Sequence, residues 1–259
     1  MQKKMPALFV GHGSPMNAVE DSEYSRGWEK LGRTLPKPRA ILAVSAHWYQ
    51  PGIAVTTAAA PRTIHDFGGF PDALYRIVYP AAGDPVLAKR VIELLAPLPV
   101  AADPDMGLDH GTWIVLRRAY PKAEVPVVQL RIDETAEPEF HYELGRRLAP
   151  LREEGVLIMG SGGMVHNLGA YMWGRRGAEP YEQGMRFENH VRQLLLDGND
   201  KGLVGYQALG RDAAFSAPTP DHYLPLLYVA GARNTNDVLS FPISGFDGGA
   251  VSMLSVIVG

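Results

Sequence analysis

Four short apolar runs stand out along the chain, at residues 7–10, 40–45, 125–130 and 156–160. Runs of this length, rich in Val, Ile and Leu, read as buried strands. Between and after them the period changes. Asp84 and Pro85 precede Val86, Leu87, Val91, Leu94 and Leu95, which is the pattern of an N-cap, a first-turn proline and an apolar helical stripe. Residues 139–148 and 182–196 are further amphipathic helices on the same grounds. Asp221 is placed to cap a helix through Leu224, Leu227 and Val229. Strands alternating with helices predict an α/β fold, a single domain over residues 1–259, with a largely parallel or mixed central sheet and helices on both faces. Residues 49–83 hold many Pro, Gly and Thr and no period, so they read as a long excursion over the sheet, of the kind that often carries function. The apolar stretch 250–258 reads as a last strand.

Composition narrows the function classes. The chain has 259 residues, 46% of them apolar and 20% charged, which is ordinary globular usage. Its 25 basic and 28 acidic residues leave a net charge of -3 and no basic stripe, so neither nucleic acid nor an anionic membrane is an expected partner. Cysteine is absent. That removes disulfides, thiolate metal sites and cysteine nucleophiles together. No apolar run is long enough to span a membrane, and Val10 is followed at once by Gly-His-Gly, so no signal peptide is expected and the default location is the cytoplasm. The serine-hydrolase elbow Gly-x-Ser-x-Gly and the phosphate-loop motif do not occur.

The eight histidines sort by their surroundings. His12, in Gly11-His12-Gly13-Ser14-Pro15, lies just past the first predicted strand. His47, in Ser45-Ala46-His47-Trp48, lies just past the second. His166 follows the glycine-rich 160–163 at the end of the fourth. Ligands in open α/β sheets bind outside the carboxyl ends of the strands, so these three can converge although far apart in sequence. His110 and His222 sit at turns entering helices, each beside an aspartate (Asp109 and Asp221) able to fix a ring tautomer. His141 and His190 fall inside amphipathic helices and read as core or surface residues. The glycines at 160–163 read as positions where backbone closely approaches a metal pocket. An imidazole-rich set without thiolates suits Fe(II), Zn(II), Cu or Ni, and softness alone does not choose among them.

At these residues the sequence resembles the class III extradiol dioxygenases, in the branch of 4,5-DOPA extradiol dioxygenases. The blocks that carry the likeness are Gly11-His12-Gly13-Ser14-Pro15, Ser45-Ala46-His47-Trp48, Asp66-Phe67-Gly68-Gly69-Phe70-Pro71, Leu108-Asp109-His110-Gly111-Thr112-Trp113, and residues 160–167 and 218–226, in order over nearly the whole chain. The resemblance implies one mononuclear divalent metal, Fe(II) for activity with Zn(II) as the other option, held by His12, His47 and His222. His222 would stand where the wider class has a carboxylate. His166 matches an acid/base histidine, with fourth metal ligand as its alternative role. His110 matches a histidine that would contact oxygen or substrate. The implied substrates are a catechol, such as L-DOPA, and O2, with cleavage outside the diol to a muconic semialdehyde. His65, Asp66 and Tyr223 are candidate substrate-binding residues. Trp48, Trp113 and Tyr223 are candidate walls of a ring pocket, with core packing as the alternative, favoured for Trp113. Two other readings stay open: a zinc hydrolase using a metal-bound water, and a non-catalytic metal-binding homologue. The oligomeric state is not legible.

Overall fold

A computed structural model describes residues 4–259. Ten strands occur among them: β1 (Ala7–Gly11), β2 (Ala40–Gln50), β3 (Ile53–Thr56), β4 (Val100–Asp103), β5 (Val127–Asp133), β6 (Val156–Gly162), β7 (Leu239–Ile243), β8 (Phe246–Asp247), β9 (Val251–Ser252) and β10 (Ser255–Val258). The helices are α1 (Glu23–Thr34), α2 (Asp72–Tyr75), α3 (Pro85–Leu95), α4 (His110–Ala119), α5 (Pro138–Leu148), α6 (Glu182–Asp197), α7 (Asp200–Val204), α8 (Arg211–Ser216) and α9 (Leu224–Gly231).

Eight strands form one mixed sheet in the order β4-β3-β5-β2-β6-β1-β10-β7. Its centre, β5-β2-β6-β1, is parallel; β10 adds antiparallel to β1, and β7 antiparallel to β10. The two-residue period of the central strands supplies two cores. Ala7, Phe9, Leu42, Val44, Val156 and Ile158 enter the core beneath α3, α5, α6 and α9. Leu8, Val10, Ile41, Ala43, Leu157 and Met159 enter the core beneath α1 and α4, around Trp28 and Trp113. Buried on both faces, these strands are apolar at nearly every position, as a parallel sheet requires.

The expected α/β class with helices on both faces is the observed one. The helix after Asp84 runs over Pro85–Leu95, and Asp84 accepts a hydrogen bond from Leu87 N at 2.9 Å. Several boundaries differ. β2 does not end at Ser45 but continues to Gln50, because Tyr49 and Gln50 pair with Ile132 and Asp133 of β5. A register shift between Val44 and Tyr49 interrupts that pairing. Irregularities of this kind re-aim side chains, and His47 sits inside this one. Asp221 does not cap α9, whose N-cap is Tyr223 without a side-chain bond. Residues 250–258 are two short strands in separate sheets. The excursion 49–83 begins with the last two residues of β2, holds β3 and α2 and is otherwise irregular.

His141 is fully buried, with Nδ1 2.9 Å from the Tyr228 hydroxyl, and ties α5 to α9. Burial lowers its pKa from 6.5 to about 4. Below pH 6.5 the unfolded chain binds this proton and the native chain does not, so stability is full above that value and erodes as pH falls toward about 4. In urea titrations, H141Q is expected to flatten the acid slope relative to the parent by at most about 3 kcal/mol over this window. Parallel slopes for the two proteins would refute the assignment.

Candidate active site

The carboxyl ends of β2, β6 and β1 lie side by side, and His47, Ser161 and His12 come from them. The backbone of His12 is fixed where its N–H donates to Gly162 O at 3.1 Å. His222 arrives from above β6. A Cβ on Gly160 would overlap Pro225 O, and one on Gly162 would overlap His222 O. Only hydrogen at these two positions, on one face of the strand, lets the start of α9 rest directly on the sheet. Gly163 N then donates to His222 O at 2.9 Å.

The nitrogens of His12, His47 and His222 converge. One ligating atom from each lies within 4.8 Å of the others. The Nε2 atoms of His12 and His47 are 3.0 Å apart. Two nitrogens bound at 2.0–2.1 Å to one ion would be about 2.9–3.4 Å apart, so this spacing suits a shared cation. Tautomers favour it too. Ser161 Oγ donates to Gly111 O at 2.6 Å, so its lone pairs are left to receive His12 Nδ1–H at 3.0 Å. That leaves His12 Nε2 as a bare lone pair. Asp221 Oδ2 contacts His222 Nδ1 in the same way, and His222 Nε2 is buried with no protein partner among the described residues. An orphaned imidazole lone pair among two others is what a divalent ion would satisfy. The residues present therefore fit a metal.

Electrostatics agree. Burial, then the neighbouring imidazoles His222, His110 and His166, hold the His12 pKa well below its ordinary value. Burial and then His110 and His12 do the same for His47. Both are neutral near pH 7, as ligands must be. Burial tends to raise the Asp221 carboxyl, but its contact with His222 outweighs this and holds it at about 2.

His110 opens α4, where Asp109 is the N-cap and accepts from Thr112 N at 2.9 Å. Asp109 does not orient the His110 ring as its adjacency predicted. It is spent on Ser45 Oγ at 2.8 Å and on Gln129 beneath the site. Asp66 stands nearer: it receives His110 N at 2.9 Å and lies 3.0 Å from His110 Nδ1 and 3.7 Å from His47 Nδ1. His47, Asp66 and His110 form a second cluster with ligand spacing, but its carboxylate is already engaged. His166 belongs to neither cluster. Its ring stacks on His222 at 3.4 Å and 4°, beside the point where the lone pairs meet, so a fourth-ligand role gains no support. Burial, then the His222 ring, lowers its pKa to about 2, against the opposing pull of Asp221, so it is neutral near pH 7.

Three sequence expectations are corrected. Tyr223 is fully buried, donates to Leu203 O at 3.1 Å and packs on Tyr206, so it does not reach the cavity. His65 lies behind the cavity wall, its Nε2 2.9 Å from Ile77 O and its ring edge-on to Phe67. Trp48 is core, beneath Arg131. Trp113 is core as favoured, donating to Ile64 O at 2.8 Å. The sequence did not single out Ser161, nor Leu168, Tyr171 and Trp173, which line the cavity from a loop without periodicity. For Ser161 a signal existed: it stands between two glycines at the end of a strand.

The cavity holds about 310 Å³, enough for one substituted aromatic ring, with His12, His47, His110, His166 and His222 in its wall. Residues 6–242 match the family described as the catalytic LigB subunit of aromatic ring-opening dioxygenase. The chain belongs to that family and is an enzyme of the extradiol ring-opening type. It is 49% identical to the 4,5-DOPA dioxygenase extradiol of Escherichia coli K12, over 99% of this chain and 95% of the relative. It is 36% identical to the 4,5-DOPA dioxygenase extradiol of Beta vulgaris, over 95% of this chain and 93% of the relative. The crystal structure of an uncharacterized Escherichia coli K12 protein superposes with a TM-score of 0.86 at 44% identity, covering 98% of this chain and all of that one.

Ser161 and Asp221 fix ring tautomers without touching the ion position. S161A and D221N are each expected to weaken divalent-metal affinity about 10–100-fold while leaving the fold intact. Competition against a chromogenic chelator measures this; unchanged affinity in both would remove the tautomer argument.

Proposed function

We propose that His12, His47 and His222 hold one Fe(II) and that the enzyme uses it to cleave a catechol with O2 outside the diol. The observation that carries this reading is the convergence of three imidazoles, two of them with Nε2 atoms 3.0 Å apart and one with an orphaned Nε2, beside two further histidines. A bound Fe(II) with open positions would take up the diol and O2 and let electron density pass from ring to oxygen, which redox-inert Zn(II) does not supply.

The remaining steps belong to the chain's own groups. His166 lines the cavity and takes a catechol hydroxyl proton at a ring nitrogen, which burial makes it hold weakly and pass on readily. The same proton is then available for the oxygen–oxygen bond cleavage that follows. His110 also lines the cavity, with Nδ1 3.0 Å from Asp66, and with a proton on each ring nitrogen it would bridge that carboxylate and developing oxygen charge. The relatives' printed names make L-DOPA the first catechol to test.

Anaerobic loading with Fe(II), then catechol in aerated buffer, is expected to give oxygen uptake matched one-to-one with a new visible absorbance. H166A is expected to retain iron and lose about 10²–10⁴ in kcat. Absent uptake with confirmed iron occupancy would reject the reading, and an H166A enzyme of parental kcat would reject the role of His166.

A further inference from the structure

Two cavity-lining stretches from distant parts of the chain are braced by one side chain that does not itself line the cavity. Gly13, Ser14 and Pro15 follow His12, and Leu168, Tyr171 and Trp173 belong to the loop after β6. Arg176 lies later in that loop and is half-buried. Its guanidinium is spent in three directions. Nε and Nη2 donate to the Asp247 carboxylate at 3.0 and 2.6 Å. Nη2 also donates to Asn17 Oδ1 at 2.8 Å, and Nη1 donates to the Glu20 carboxylate.

Each end of this brace reaches the cavity wall through one more bond. Asn17 is fully buried, and its Nδ2 donates to the His12 carbonyl at 3.2 Å, across the turn that holds Gly13 to Pro15. Asp247 is buried too, and it receives the Tyr171 hydroxyl at 2.8 Å. A Cβ on the next residue, Gly248, would overlap the Tyr171 ring, so the packing there is close. Backbone bonds from Met172 N to Gly248 O at 3.0 Å and from Gly248 N to Arg176 O at 2.9 Å add to it. Asp247 and Glu20 are thus two carboxylates on one cation. Removing the cation would leave a buried carboxylate unpaired and two like charges without their bridge, which drives the two stretches apart. Lysine is no substitute, because one ammonium does not match the planar fork that reaches Asp247, Asn17 and Glu20 together.

Resting on the ring-cleavage reading above, we propose that Arg176 is a positioning residue that sets the width of the cavity mouth, by fixing the loop after β6 against the turn that carries His12. With the Fe(II)-loaded enzyme, R176Q is expected to raise KM for L-DOPA about tenfold or more with a smaller fall in kcat, because the mouth loosens while the ligand rings keep their own ties to Ser161 and Asp221. R176K is expected to recover little of the loss. Limited trypsin digestion reads the brace without turnover. The bond after the exposed Arg175 is expected to be cut at least about tenfold faster in R176Q than in the parent, as mass spectrometry of the fragments would show. Parental cutting at that bond, or an unchanged KM, would overturn the proposal while leaving ring cleavage standing. If the Fe(II)-loaded parent turns over neither L-DOPA nor catechol, the ring-cleavage reading falls, and the digestion still decides whether the brace exists. Should R176Q fail to fold, E20Q at a part-exposed carboxylate takes its place: cutting about threefold or more faster sustains the proposal, and parental cutting overturns it.

Discussion

Everything at the site depends on backbone touching backbone at the end of β6. Two glycines on one face of that strand remove the atoms that would hold α9 away, and the chain before α9 settles onto the sheet. His222 is delivered by that contact and not by its own helix, which begins two residues later. The opposite face of the same strand points Ser161 toward α4, where it joins Gly111 and His12. One short strand thus spaces two imidazoles that enter from opposite sides of the sheet. A methyl group at either glycine would force a shift of backbone, which a close-packed interior resists.

Bringing neutral imidazoles together is unfavourable in itself. Their lone pairs face one another in a poorly hydrated space, and burial prevents them from relieving this by taking up protons. The surrounding fold supplies the compensation: two well-packed cores on either side of the sheet, and hydrogen-bond acceptors that dictate which ring nitrogen carries hydrogen. In such a setting the site costs stability and returns affinity for a cation, which is a common arrangement at functional centres.

The layered fold was legible because buried parallel strands are apolar throughout and the helices between them carry caps and stripes. The histidines that matter were legible from glycine and proline neighbours at element ends. What escaped was the direction of side chains. Tyr223 neighbours His222 in sequence, yet the two point apart, one into the core and one into the cavity. Asp109 neighbours His110 and serves the strand below, while Asp66, 44 positions earlier, receives the His110 N–H and stands beside its ring. Adjacency in sequence does not tell which side of a helix start faces a cavity, and the irregularity in β2 that turns His47 leaves no trace in the apolar pattern.

Asp66 has a consequence for how such an enzyme can change its diet. Its carboxylate receives the His110 N–H and approaches His47, and the next residue, Phe67, already lines the cavity. Adaptation to a new substrate through that stretch therefore risks disturbing the imidazoles behind it. The stretch from Leu168 to Trp173 lies beyond His166, whose ring stacks on His222, and its Leu168 and Trp173 side chains are open to solvent. Natural variants that accept different aromatic compounds should accordingly accumulate their substitutions on one lip of the cavity while the other stays frozen.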